Sequence, residues 1–174
     1  NLRTSVDISK QDITNGKELL DAKLEIRDAD GNLVEGWTSG KVPHTVRGLK
    51  LEKEYTLTEK RAPDGYAEAE SIVFRLVQEG SEQSNMVYVK SDGDWVKLDD
   101  ATIIMQDAPV LDIDKTDIAG NLLPGATLTI RDANDEVVDT WTTDYKTHRV
   151  PISDDFLKLS DDSKEYIYTL TEDA

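Results

Sequence analysis

Cysteine is absent from all 174 residues. Disulfides, thiolate metal sites and cysteine nucleophiles are therefore excluded together. If the protein is extracellular, any covalent staple has to come from other side chains. Basic residues are scarce, 20 against 36 acidic ones, and the formal net charge is -16. Nucleic acids and anionic bilayer surfaces both call for clustered Lys and Arg, so neither is expected as a partner. No apolar run approaches the ~20 residues of a membrane span, so no membrane insertion is expected in this segment. No secretory signal is visible, although a mature fragment would have lost one. The composition, 37% hydrophobic and 32% charged, is polar. Its apolar residues are nevertheless patterned, which argues against wholesale disorder.

What is present is an internal repeat. Val6-Asp7-Ile8-Ser9-Lys10 returns as Leu111-Asp112-Ile113-Asp114-Lys115, and Ala22-Lys23-Leu24-Glu25-Ile26-Arg27-Asp28-Ala29 returns as Ala126-Thr127-Leu128-Thr129-Ile130-Arg131-Asp132-Ala133. Trp37-Thr38 matches Trp141-Thr142, His44 matches His148, and Tyr55-Thr56-Leu57-Thr58-Glu59 matches Tyr168-Thr169-Leu170-Thr171-Glu172. The lysines are 105 positions apart and the glutamates 113, so copy two is expected to carry an insertion near residues 153–163. A period near 105 residues is too long for a solenoid unit and fits two tandem domains. The expected division is a complete domain at 1–108 and a second at 109–174, incomplete because nothing equivalent to 61–107 follows Glu172.

The local pattern is β throughout. Val6, Ile8 and Lys10 alternate with Asp7 and Ser9, and Leu24 and Ile26 alternate with charged neighbours. Tyr55, Leu57 and Glu59 form one face of their segment; Ile72, Phe74 and Leu76 form one face of 71–77; Ile103, Met105 and Asp107 form one face of the last segment of copy one. Period two marks strands with one buried face. Asp30-Gly31-Asn32, Pro63-Asp64-Gly65 and Asp92-Gly93-Asp94 supply turns between them. The expected fold is all-β, with tandem antiparallel β-sandwich domains of the immunoglobulin-like kind.

Parity also places charge on inward faces. Lys10 continues the face of Val6 and Ile8, Glu59 that of Tyr55 and Leu57, and Asp107 that of Ile103 and Met105. Isolated buried charges are expensive, so such groups pair or become neutral, unless all three sit at strand ends and reach water. Copy two keeps the parity, with Lys115 following Leu111 and Ile113 and Glu172 following Tyr168 and Leu170.

The strand with an inward Lys, Asp28 to Gly31, Trp37-Thr38, Gly48-Leu49, Tyr55 to Glu59 and Ala62-Pro63-Asp64-Gly65-Tyr66, with Leu123-Pro124-Gly125-Ala126 in copy two, resembles the CnaB-type or SpaA-like prealbumin-fold domain. The likeness covers copy one and most of copy two. It implies a surface adhesin or pilin of a Gram-positive bacterium, located at the cell wall. Many members of that family form an intramolecular isopeptide bond between a first-strand Lys and a last-strand Asn or Asp, promoted by a buried Glu. Carried over by position, the resemblance implies Lys10 and Asp107 as the cross-linked pair and Glu59 as the catalytic proton relay, with Lys115 and Glu172 as second-domain equivalents lacking a partner. Asp at 107 departs from the commoner Asn, and water rather than ammonia would leave.

The residue types suit that chemistry. An amine is nucleophilic only when neutral, and apolar burial disfavours its charged form. The same burial favours an uncharged carboxyl as electrophile. A protonated Glu hydrogen-bonds the carbonyl and relays protons to the leaving oxygen. Each molecule reacts once with itself, so no enzyme is expected.

Other signals are weaker. Asp28-Ala29-Asp30-Gly31-Asn32 opens like a calcium loop but lacks the remaining ligands and the closing Glu, and reads as a hairpin turn. His44 and His148 have no neighbouring ligand candidates, so no metal and no cofactor are expected. Trp37, Trp95 and Trp141 could form a glycan platform, but two of them repeat with the domain pattern and fit sheet packing. The expected function is a structural stalk module of a cell-wall-anchored surface protein, partnered by neighbouring domains of the same protein. The alternative is a ligand-binding adhesin domain recognising host extracellular matrix protein or glycan. A transthyretin-like accessory domain of an extracellular enzyme is a third reading.

Overall fold

The computed structural model describes residues 2–152 and 167–173. It divides into two compact units, Asn1–Asp107 and Ala108–Ala174. The insertion expected near 153–163 lies outside the described residues. Among the described residues there is no helix, and the elements are strands β1 to β14.

Unit 1 holds β1 (Ser5–Asp12), β2 (Lys23–Asp28), β3 (Leu33–Thr38), β4 (His44–Arg47), β5 (Tyr55–Arg61), β6 (Ile72–Val77), β7 (Met86–Ser91), β8 (Asp94–Lys97) and β9 (Thr102–Asp107). They form a three-stranded sheet, β4-β1-β9, and a six-stranded sheet, β3-β2-β5-β6-β7-β8. Val6, Ile8, Val46, Ile103 and Met105 from the smaller sheet meet Leu24, Ile26, Leu57, Phe74, Leu76 and Val87 from the larger in one core. These are the alternate positions of their strands, so the period-two pattern is the mould of the core.

Turn chemistry sets the register. The β7–β8 hairpin turns at Asp92 and Gly93, whose φ angles of 49° and 86° are both positive. That is the type I′ geometry which matches strand twist, and Gly adopts it without strain. At the β2–β3 turn, Asp28 accepts hydrogen bonds from the backbone amides of Asp30 and Asn32, at 3.0 and 2.8 Å. Its carboxylate is thus used by its own loop, as a turn residue.

One pairing departs from the antiparallel expectation. β1 and β9 lie side by side in parallel, with Ile8 facing Ile103, Lys10 facing Met105 and Asp12 facing Asp107. Side-chain alternation is the same in both ladder types, so sequence pattern cannot tell them apart. A parallel pair needs a long crossover, and here the rest of the domain supplies it.

Unit 2 repeats the first part of this plan. β10 (Val110–Ile113) pairs with β13 (His148–Pro151), as β1 pairs with β4. β11 (Thr127–Arg131) lies between β12 (Val137–Thr142) and β14 (Thr169–Asp173), as β2 lies between β3 and β5. The registers agree as well: Leu128 faces Glu172 as Leu24 faces Glu59. Ile130 and Val150 form the centre of a smaller core, with Ile113, Trp141 and Tyr168 packed around them.

Candidate functional site: a buried lysine between two carboxyls

Three strands bring the unit 1 charges together. Lys10 comes from β1, Asp107 from the end of β9 beside it, and Glu59 from β5 in the opposite sheet. Their relative exposures are 1%, 0% and 1%. Lys10 Nζ donates to Asp107 Oδ1. Glu59 Oε1 lies 3.3 Å from the same Nζ. The parallel register explains the contact with Asp107. Asp107 stands opposite Asp12, two positions beyond Lys10, so the flexible lysine stem reaches it along the diagonal of the ladder.

The charge balance of this cluster is unusual. One ammonium and two ionised carboxylates would leave a net negative charge in the core, where charge is costly. A proton retained on the carboxyl pair removes that cost. Burial pushes the Asp107 carboxyl up to about 7, against the lowering pull of Lys10 and with a further upward push from Glu59.

A pH signature follows from this upward shift. An Asp whose folded pKa exceeds its unfolded value of 3.8 binds more protons folded than unfolded. Its stabilising contribution is full below the unfolded value and is lost as pH rises through the folded one. In a Lys10→Ala chain the lowering partner is gone. Unit 1 of that chain should resist urea better at about pH 5 than at about pH 8. Adding Asp107→Asn should flatten the difference, and an undiminished difference in the double variant would refute the assignment.

The cover of the site comes from the β5–β6 connection, residues 62–71. The Ala69 amide donates to Glu59 Oε2 at 2.7 Å. Tyr66 Oη donates to Asp12 Oδ2 at 2.7 Å. The Asp12 carboxyl also accepts from the amide and hydroxyl of Thr14. Those hydrogen bonds outweigh burial and hold Asp12 below the usual carboxylate range, while the Asp12 bond and burial push the Tyr66 phenol up to about 12. Sequence reasoning named neither Asp12 nor Ala69. The signal for Asp12 was available, because it continues the inward parity of Val6, Ile8 and Lys10 and is itself buried.

In unit 2, Lys115 and Glu172 also meet, at 2.8 Å. Their side chains are 33% and 50% exposed, unlike their unit 1 counterparts. The repeated histidines have a structural place. His44 stacks on Trp37 at 4.4 Å and bonds Glu35 at 3.1 Å; His148 stacks on Trp141 at 3.9 Å and bonds Asp139 at 2.8 Å. In unit 1 this ties β4 of the smaller sheet to β3 of the larger. Trp95 sits beneath the Arg75 guanidinium at 4.5 Å, with Lys90 beside it at 5.5 Å. All three tryptophans thus already have aromatic or cationic neighbours on one face.

Unit 1 is thus a two-sheet β domain with its first and last strands parallel and a Lys, Asp and Glu cluster buried within it. Residues 4–91 match the SpaA prealbumin-like fold domain, and the chain belongs to that family. No curated protein matches it. Among solved structures it is similar to the Bacillus anthracis TIE protein, at 23% identity and a TM-score of 0.44, covering 100% of this chain and 29% of that one. It is also similar to the pilus-presented adhesin Cpa, at 27% identity and a TM-score of 0.44, covering 56% of this chain and 21% of that one. A mutant of the shaft pilin SpaA from Lactobacillus rhamnosus GG aligns at 11% identity and a TM-score of 0.46, covering 79% of this chain and 64% of that one. The chain therefore spans less than a third of the first two proteins. No helix among the described residues is long and apolar enough to cross a membrane.

Proposed function

We propose that this chain is a stalk segment of a cell-wall-anchored surface protein of a Gram-positive bacterium, of the adhesin or pilin type. In this reading unit 1 is locked by an autocatalytic amide between Lys10 and Asp107. The observation that carries it is the buried contact of Lys10 with Asp107, which joins the first strand of the unit to its last.

The reaction balances within the cluster. The Lys10 ammonium passes a proton to Asp107 Oδ1, leaving a neutral amine and a neutral acid. Nζ attacks Cγ, and Glu59 stabilises the charge that develops on Oδ2. A second amine proton travels through Glu59 to the Oδ1 hydroxyl. The Cγ–Oδ1 bond breaks, water departs and an amide remains. Holding amine and carboxyl in contact supplies the proximity that solution chemistry lacks, worth about 7–11 kcal/mol of barrier in favourable cases. The product stays in the chain, so the process is maturation without turnover.

The mechanical use follows from where tension enters. Force applied to the two ends of unit 1 reaches β1 and β9 first. An amide from residue 10 to residue 107 carries it across directly and shields the 96 residues between them. Single-molecule stretching of the chain should then release no length from 11–106. A Lys10→Ala chain should release on the order of 300 Å, since extended chain spans ~3.3–3.6 Å per residue. Equal release from both chains would overturn the stalk reading. The partners this reading implies are neighbouring domains of the same surface protein.

A further inference from the structure

We infer that the Ala69 backbone amide is a positioning group for the cross-linking reaction, because it fixes which oxygen of Glu59 carries the working proton. This rests on the reading of Glu59 as the proton relay and goes beyond it.

The geometry is asymmetric. Glu59 Oε2 accepts from the Ala69 amide at 2.7 Å. Among the described residues, Glu59 Oε1, on the lysine side, is buried and accepts no hydrogen bond, although it lies 3.3 Å from Lys10 Nζ. Asp107 Oδ2 is buried and equally unpartnered. Both carboxyls converge on the same Lys10 Nζ. A buried oxygen without a partner is destabilising, so two of them in one cluster call for a donor. An N–H must point at a bare lone pair, and Ala69 occupies Oε2 in that way. The proton is thereby directed to Oε1, where Oε1–H can donate to Asp107 Oδ2. One proton then satisfies both orphaned oxygens. It also stands where charge develops as Nζ attacks Cγ, while Oδ1 holds the proton received from the ammonium and leaves as water.

Ala69 is well suited to hold this position. Its methyl packs against the unit 1 core, and the loop is pinned a second time by Tyr66 on Asp12. With Oε2 free, the carboxyl could turn its proton outward to the loop, and the relay would be misaligned.

The test removes the N–H and keeps the rest of the chain. Cross-linking after rapid refolding is followed by intact mass. Ala69→Pro is expected to slow bond formation by roughly 10²-fold, the lower end of what a positioned acid or base supplies. Ala69→Gly, which loses the methyl and keeps the amide, should react at the parent rate. If the proline chain lacks the parent's dispersed amide spectrum in a Lys10→Ala background, an ester in place of the 68–69 amide gives the same deletion without the ring. Normal rates in the folded N–H-deleted chain, or equal slowing in Ala69→Gly, would overturn the inference. A Glu59→Ala chain run alongside separates the two ideas. A normal rate there refutes the relay itself, whereas a slow rate there with a normal Ala69→Pro rate refutes only the role of Ala69.

Discussion

The purified chain is expected to weigh one water less than its sequence. The loss should map, after proteolysis, to a branched peptide joining Lys10 to Asp107. Lys10→Ala should weigh its full sequence mass, and unit 1 should then melt far lower. Two effects add in that variant. The amide closes a loop of nearly the whole domain, and by analogy with disulfides such closure stabilises by about 4–5 kcal/mol. Truncating the lysine also leaves Asp107 as a free carboxyl beside Glu59 in the core, where the parent holds a neutral amide, and burying that second acid is a further cost. The first effect alone corresponds to roughly 20–35 °C in a domain of this size. Asp107→Ala removes the bond and one of the two carboxyls together, so it should fall between parent and Lys10→Ala. A parent chain of full mass with no branched peptide would remove the basis for the lock.

Glu59→Ala should fold and fail to close the bond, or close it slowly over hours to days. Positioned proton transfer contributes ~10²–10⁴-fold to rates of this kind. Its thermal resistance should drop toward that of Lys10→Ala. Glu59→Gln is the sharper variant. The amide oxygen can still accept from Ala69 and the amide nitrogen can still donate to Asp107, so packing is kept and only proton relay is lost. Rapid cross-linking in the Gln variant would assign Glu59 a purely geometric role. Both variants are read by the same mass measurement, with time after refolding as the variable.

Much of this was legible from parity and repetition. The inward placement of Lys10 and Glu59 follows from counting in twos along β1 and β5, and the second copy repeats the count. Asp107 needed more. Its strand face could be read, but its nearness to Lys10 depends on β9 lying parallel beside β1, a contact between segments almost a hundred residues apart. Alternation specifies which face is buried and is silent on which strand lies next door. The Ala69 amide was invisible for a different reason. It is a backbone donor, and every residue except proline carries one, so only its placement gives it meaning. Asp12 could have been found, since it continues the face of Lys10.

The parallel β1–β9 pair has a consequence for direction. In parallel neighbours the start of one strand and the end of the other lie at opposite poles. The polypeptide therefore comes into unit 1 at one pole and departs at the other. Antiparallel neighbours would return it to the pole of arrival and spend the domain on a detour. With eight residues in β1 and ~3.3 Å per residue in a parallel strand, the strand pair accounts for roughly 25 Å of travel along its axis. A domain of this topology gives the backbone a heading, so that unit 1 converts sequence length into distance.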